Sequence, residues 1–499
     1  MTSAIGAVTG SSAEAVAAGG QVLRAGGNAV DAAVAAALAS CVADPCNTGI
    51  GGYGGHMIVA PAGQAPVCID FNLWAPLAAT KSYRRALPRG PAASVIPNVV
   101  AGLSAALAAF GTMPWAEVMQ PAVALADDGF MANTTLARAL AEVAGAPFVD
   151  QCFSIERDAS GNSGLRIRQP ALAATLRQLA ANGPQWFYEG PIATLASRCL
   201  RDAGHEITPA HWAEALKAVT VAPAPVLRLR DSAFFSSPPG TSGSICMFAT
   251  VAAGAEIGAD LELPAGIRRC AERMAAAWSY RFNSPGANTI ADDEIADWVA
   301  RAAACKPAAT TGAADGHTCH LNAADSDGML VAATLTHGKL WFGARWVLPD
   351  TGVIMNYGGP MVCDPEPKIA GERAYGVTNM SPTIARRDGG AAVAIGAPGA
   401  RRIASIIGIA LARHIFGRIP LQEAIVRGRF HAEARDRATL EKDRFPPEVA
   451  SALQAAFRTV ETEGPADYYG PCTAIRRDGD GGLALGMDDR WQGFGAILC

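Results

Sequence analysis

The sequence predicts a layered α/β protein on three observations. Helix-period and strand-like segments alternate along the chain, a glycine-rich loop feeds a hairpin pattern early on, and the character turns from helical to β-rich near residue 318. The chain has 499 residues, 50% of them hydrophobic, which is enough for a large core or for two fused lobes sharing one. Charged residues make up only 17%, and Ala and Gly are abundant, which suits closely packed helices and sheets.

The first fifty residues read as two helices. Ser11 or Ser12 caps the first, Gly26-Gly27 ends it, and Asn28 caps the second. Then comes the glycine loop Thr48 to His56, with apolar runs Met57-Val59 and Val67-Phe71 around a Pro61-Ala-Gly turn, a hairpin pattern. From Val95 to about Pro209 the periodicity is helical, with Pro114 of Gly111-Thr112-Met113-Pro114-Trp115 at an N1 position and Asp127-Asp128-Gly129 as a stop. Strands are expected at Val226-Arg230 and Ala233-Ser237, and helices through Ile257-Ala303. The small, polar, aperiodic segment Lys306 to Asp315 reads as an exposed flexible loop. Beyond it, Leu321-Ala324, Leu330-Thr336, Gly352-Asn356, Thr383-Ala385 and Ala391-Ile395 are short β-like runs, followed by helices at about Ile403-Gly417 and Leu421-Arg427 and a return to strand.

Lys+Arg number 41 against Asp+Glu 45, a formal net charge of -4, and no dense basic stripe occurs, so nucleic acid is not an expected partner. The opening Met1-Thr2-Ser3 leads into a helical pattern by about Ser11 without a basic region, an apolar region or a small-residue cleavage site, and the expected location is cytoplasmic. The longest apolar stretch, Ala29 to Val42, is too short and too weakly hydrophobic to span a bilayer, so no membrane is expected. The 12 Cys show no CxxC and no Cys/His ligand spacing; reduced thiols, no metal and no cofactor are the expectation. Gly49-Ile-Gly51-Gly-Tyr-Gly54 matches G-x-G-x-x-G literally. A dinucleotide loop must follow a strand and open a helix, whereas here a helix precedes and a hairpin follows.

Asp315-Gly-His317-Thr318-Cys319-His320-Leu321 stands where the loop meets a strand. Taken alone it is ambiguous: a surface hydroxyl, a core thiol and a satisfied polar side chain explain it as well as chemistry does. The surroundings decide. Val22 to Ala33, the Thr48-Gly55 loop, Ile69-Asp70-Phe71 with Ala75-Pro76, Val100 to Leu103, Gly111 to Trp115 and Asp128-Gly129-Phe130 occur in order. Phe187 to Gly190, Ser237-Pro238-Pro239 with Ser242-Gly243, Met380 to Thr383 and Gly396 to Gly399 continue it. In these stretches, over nearly its whole length, the chain resembles the gamma-glutamyltranspeptidase family.

The resemblance implies a four-layer αββα sandwich of the N-terminal nucleophile hydrolase type, made as one precursor. Thr318 then attacks the carbonyl of His317, leaving a large subunit 1-317 and a small subunit 318-499 associated as a heterodimer, with further pairing of heterodimers left open. Cleavage frees the Thr318 α-amine, whose reference pKa of about 7.7 to 8 makes it a usable base for its own hydroxyl at neutral pH. By position, Thr336 corresponds to the second threonine that hydrogen-bonds the nucleophile, and Gly399 and Ala400 to the pair whose N–H groups form the oxyanion hole. Such donors are typically worth about 3 to 4 kcal/mol each. His320 is expected to order its strand.

The family's glutamate anchors are mostly replaced. Asn72 stands for the arginine that pairs with the α-carboxylate, Gly358 and Met361 for the ammonium-binding groups, Thr378-Asn379 for a serine pair, and Gly338 for an asparagine. A zwitterionic substrate would bury its charges unpaired, which disfavours glutamate. New residues in the region are Trp341, Arg345, Trp346 and Tyr357, with Arg401 beside the oxyanion turn. One hypothesis gives Arg345 or Arg401 an acidic acyl group to bind; the other leaves Arg401 exposed and Arg402 structural. Relatives with similarly altered pockets include amidohydrolases of small amides such as oxamate. The expected function is therefore an autoprocessed amidohydrolase of a small amide. A gamma-glutamyltransferase or glutathione hydrolase, and an unprocessed non-catalytic homologue, are the alternatives.

Overall fold

The computed structural model describes residues 4–83, 88–157, 164–284, 291, 294–306, 317–362, 368–434, 436–441, 443–463, 469–490 and 493–499. Apart from Lys306, the predicted flexible loop lies outside them.

Two antiparallel sheets form the centre. Their strands, in chain order, are β1 (Gly6–Gly10), β2 (Gly54–Ala60), β3 (Val67–Phe71), β4 (Thr220–Pro223), β5 (Val226–Leu229), β6 (Ser232–Phe235), β7 (His317–Asp325), β8 (Leu330–Gly338), β9 (Thr383–Arg387), β10 (Ala392–Gly396), β11 (Thr473–Arg477), β12 (Leu483–Met487) and β13 (Phe494–Leu498). The seven-stranded sheet runs β13-β1-β7-β8-β2-β3-β4 and the six-stranded sheet β12-β11-β10-β9-β6-β5.

Side-chain alternation builds the layers. On β10, Ala392 and Ala394 face the other sheet, packing with Ala7, Ile58, Ala324, Ala332 and Ile475. Val393 and Ile395 turn the other way, onto the helices α8 (Ser244–Ile257) and α11 (Arg402–Ile415). On β7 and β8, Leu321, Ala323, Val331, Ala333 and Leu335 pack outward with Val22 of α1 (Ala13–Arg24) and with α2 (Ala29–Ala43). The result is helix, sheet, sheet, helix: the four-layer αββα sandwich. From α3 (Val99–Phe110) to Ala218 the chain is mostly helical and includes α5 (Thr134–Glu142), with a small sheet of Phe130–Met131, Ser154–Arg157 and Leu165–Arg168 set among the helices.

The caps follow the sequence. Ser12 accepts from Ala15 N–H, and Asn28 forms a capping box with Asp31. Pro114 is the N-cap of Trp115–Asp128 rather than its N1 residue, because its ψ of 143° keeps it extended. The helical run expected from Ile257 begins earlier, at Ser244, since α8 is buried nearly all round and carries no amphipathic stripe to reveal it. Together with the short turn after it, Ser244–Glu262 is long and apolar enough to cross a membrane, yet it is 72% buried among its neighbours, as a core helix is. β1 was not expected as a strand; it pairs with β7 on one side and β13 on the other, so its burial comes from partners hundreds of residues away. The strand expected over Gly352-Asn356 narrows to Val353–Ile354.

Candidate active site

The inter-sheet layer is apolar at one end and polar at the other. Moving from Ala324 toward the start of β7, the inward positions are Asn322, His320 and then the region of Thr318; on β8 they are Ala332, Thr334 and Thr336. His320 is locked. Its Nδ1 lies 2.8 Å from Thr334 Oγ1 and its Nε2 3.0 Å from Asn322 Oδ1, while Asn322 Nδ2 donates to Thr9 Oγ1 at 2.9 Å and to the Thr473 carbonyl at 3.0 Å. Burial pushes its pKa down to about 4, so the ring is neutral. With both nitrogens occupied, His320 orders the strands.

That ring also fixes one sheet against the other. Gly396, the last residue of β10, presses its bare Cα onto the imidazole: a Cβ there would lie 2.1 Å from His320 Cε1. Three residues later the chain turns at Pro398-Gly399-Ala400 and opens into α11, with Arg402 N–H on the Gly399 carbonyl at 3.0 Å. Gly399 has φ +129° and Ala400 φ +53°. A side chain held in the left-handed region costs about 1 kcal/mol or more, and such strain persists where the surroundings over-determine the backbone.

At the mouth of β7 the ladder is irregular. His317 pairs with Gly338 and Cys319 with Leu335, so two residues, Thr336 and His337, face the single Thr318. This bulge aims side chains that a regular ladder would turn elsewhere. The Thr336 hydroxyl donates to the His317 carbonyl at 2.5 Å and accepts from Gly338 N–H at 2.8 Å. It therefore bonds the carbonyl before Thr318, whereas the resemblance implies a bond to the Thr318 hydroxyl. The glycine loop supports this strand end. A Cβ on Gly52 would lie 2.8 Å from the Thr336 carbonyl, and one on Gly49 2.6 Å from the His337 ring. Close backbone packing, and not a phosphate, explains the loop's glycines.

Behind β7, Cys319 Sγ lies 3.1 Å from Ser11 Oγ, which donates to Asp44 Oδ2 at 3.1 Å. Asp44 closes α2 and also receives Asn47 Nδ2 at 2.9 Å. Burial raises its pKa to about 7, hydrogen bonds from Cys46, Ser11 and Asn47 pulling the other way. The Cys319 thiol is pushed up to about 12 by burial and by Asp44, so it stays protonated.

The remaining predicted pocket residues fall into separate groups. Asn72 spends its amide on the backbone: Nδ2 donates to the carbonyls of Thr241 at 3.3 Å and Gly376 at 3.2 Å, and Oδ1 accepts from Leu73 N–H at 2.7 Å. Thr378 reaches the same Thr241 carbonyl through its N–H at 2.9 Å and its hydroxyl at 3.3 Å, and Asn379, half-buried, follows it. Tyr357 bridges Gly338 and donates its N–H to the His337 carbonyl, which brings it beside the β8 end. Arg345 is ion-paired to Glu142 of α5 at 2.6 Å. Arg401 is not exposed. It pairs with Glu433 at 3.2 Å and lies over the Phe282 ring at 4.6 Å, because distant segments fold over it. Although burial alone would raise the Glu433 pKa, His431 and Arg401 hold it to about 2.

Trp341, named in the sequence among the new residues of the region, is joined here by Arg138 and Arg89, which the sequence did not single out. The His317 ring lies against the Trp341 indole with centroids 4.9 Å apart, and the Arg138 guanidinium lies 5.1 Å from the centroid of that indole. Arg89, whose pKa is lowered by burial, lies in the field of Glu142 and Tyr357. Among the described residues no group of His, Cys, Asp and Glu could hold a metal ion.

The family model described as Gamma-glutamyltranspeptidase matches residues 15–498. Acylase ACY 1 proenzyme of Pseudomonas sp. (strain SE83) is 32% identical over 89% of this chain and 85% of its own. Glutathione hydrolase proenzyme of Escherichia coli (strain K12) is 29% identical over 97% and 90%, and oxamate amidohydrolase proenzyme of Klebsiella pneumoniae 29% over 95% and 95%. Among solved structures, cephalosporin acylase from Bacillus halodurans superposes with a TM-score of 0.85 at 21% identity, covering 99% of this chain and 96% of that one, a likeness of fold. The chain belongs to the gamma-glutamyltranspeptidase family of N-terminal nucleophile hydrolases, enzymes that hydrolyse or transfer acyl groups held in amides.

Proposed function

We propose that this chain cuts itself between His317 and Thr318 and then hydrolyses a small amide through an acyl-enzyme on Thr318. The observation that carries the reading is the Thr336 hydroxyl, 2.5 Å from the His317 carbonyl oxygen, at a bulge that isolates Thr318. Thr318 Oγ adds to the His317 carbonyl carbon, the C–N bond breaks as the proton passes to nitrogen, and an ester remains. Water opens the ester, giving a His317 carboxylate and a free Thr318 amine and hydroxyl. The same hydroxyl then attacks the substrate amide, with the Thr318 amine as base and the N–H groups of Gly399 and Ala400 receiving the oxyanion.

The substrate is a small amide not read as glutamate. Asn72 is neutral and already committed to three backbone groups, which leaves nothing there for an α-carboxylate. Arg345 and Arg401 each face a carboxylate of the protein, so an acidic acyl group such as that of oxamate would be bound by exchange with Glu142 or Glu433.

Electrophoresis and intact-mass measurement test the first step: the wild type gives a fragment ending at His317 and one beginning at Thr318, and Thr318→Ala stays whole. A wild type that stays whole after prolonged incubation rules the reading out. A hydrolysis panel of gamma-glutamyl anilide, small acidic amides and N-acyl amino acids tests the second. Glutamyl turnover equal to that of the other substrates would overturn the proposed selectivity.

A further inference from the structure

The residue on the acyl side of the bond to be cut is His317, and its ring rests on Trp341. We infer that the Trp341 face, vacated when His317 departs, is the acyl subsite, and that it selects acyl groups carrying a planar ring two carbons from the carbonyl. The inference rests on the proposed self-cleavage and amide hydrolysis at Thr318.

Geometry supplies the argument. One hydroxyl performs both attacks, so the carbonyl of a substrate must come to Thr318 as the His317 carbonyl does. In His317 the imidazole is joined to that carbonyl through Cα and Cβ, and this tether places the ring 4.9 Å from the indole centroid. An acyl group of the 3-arylpropanoyl type has the same spacing. The shelf is built and not incidental: Trp341 is only 9% exposed, and Arg138 from α5 lies over its ring, a cation against an aromatic face. Among the described residues, the buried Trp341 Nε1–H has no hydrogen-bond partner. Buried indole N–H groups usually find an acceptor, so this one awaits an acceptor on the edge of the incoming acyl group.

The shelf also explains why a family site stripped of its glutamate anchors keeps working groups around Thr318. Recognition passes from charge pairing at the α-carboxylate to contact with an aromatic ring, tilted as the His317 ring is at 39° to the indole.

The test compares 3-phenylpropanoyl, propanoyl and gamma-glutamyl 4-nitroanilides with the processed enzyme. Stacking on a desolvated indole is worth about tenfold. A kcat/KM for the phenylpropanoyl substrate at least about tenfold above propanoyl is expected, and in Trp341→Leu that ratio collapses toward one through KM. Trp341→Phe recovers part of it. A ratio near one in the wild type, with amides still hydrolysed, overturns the shelf and leaves the amidohydrolase reading standing.

Binding of 3-phenylpropanoate, measured calorimetrically, separates the two. The processed enzyme binds it, and Thr318→Ala, with its own His317 on the shelf, does not. The double variant His317→Gly, Thr318→Ala opens the shelf without any cleavage and is expected to bind. Binding there, beside a wild type that hydrolyses no amide, sinks the activity and keeps the subsite; no binding by either open form sinks the subsite.

Discussion

Replacing Thr336 by Val removes one hydroxyl and keeps the shape of the side chain, and its consequence can be worked from two distances. The hydroxyl has a single proton. The His317 carbonyl at 2.5 Å takes it in preference to the Gly338 carbonyl at 3.5 Å. When Thr318 Oγ adds to His317, negative charge grows on that carbonyl oxygen, so the donor stabilises the transition state more than the ground state. Loss of one such donor costs about 2.7 to 4 kcal/mol, or about 10² to 10³ in rate. The variant also orphans the Gly338 N–H, which bonds the hydroxyl at 2.8 Å, at a stability cost of about 1 to 3 kcal/mol. The two effects are separable. The assay follows decay of the full-length band in freshly purified protein, beside a urea titration of the same sample. Thr336→Val is expected to remain folded and to cleave at least about a hundredfold more slowly, and Thr336→Ser to stay close to wild type. A folded Val variant that cleaves within about threefold of wild type refutes the role assigned to the hydroxyl, and a Ser variant as slow as Val assigns the effect to packing.

Ala400→Gly relieves a left-handed residue at φ +53° while keeping its N–H, so thermal unfolding should shift upward by the equivalent of about 1 kcal/mol with amide turnover retained; a lower melting point contradicts the strain. Gly396→Ala would drive a Cβ to 2.1 Å from the His320 ring, so the sheets must part, and loss of both self-cleavage and at least about 2 kcal/mol of stability is expected by gel and denaturant titration. Asp44, raised by burial to about 7 in the fold against about 3.9 in the unfolded chain, contributes stability that is full below pH about 4 and lost as pH rises through about 7. The stability of wild type relative to Asp44→Asn should therefore fall across that window in urea midpoints taken at several pH values; parallel curves would assign Asp44 an ordinary pKa. His320 runs the opposite way, its contribution present above about 6.5 and lost as pH falls through about 4, and it is common to both proteins, so it cancels in the difference.

What the sequence disclosed and what it concealed divide along a physical line. Features set by neighbours in the chain were legible: the Asn28 cap, the glycine loop into its hairpin, the strand at Thr318 and the Pro398-Gly399 turn. Each depends on local φ/ψ demands or on alternation within a few residues. Features set by distant partners were not. β1 is five residues, two of them glycine, with too little pattern to register as a strand; pairing with β7 and β13 makes it one. α8 has no polar face, so helical periodicity had nothing to display. Arg401 could be read as an exposed cation only because Glu433 and Phe282, which occupy it, are 32 residues ahead and far behind in the chain.

The same division governs the site. In the proposed mechanism one hairpin holds the attack, with His317 supplying the carbonyl, Thr318 the hydroxyl and Thr336 of β8 the hydrogen-bond donor. Local pattern left Thr318 ambiguous, and the motifs along the rest of the chain singled it out. The residues considered for substrate selection come from segments with no sequential relation. Trp341 comes from the loop after β8, Arg138 from the helical lobe, Arg89 from before α3, and Asn72 from the end of β3, where its amide is spent on backbone. On the proposed reading the nucleophile can persist while the acyl group it receives changes, since the attack lies in one hairpin and recognition in segments from elsewhere in the chain.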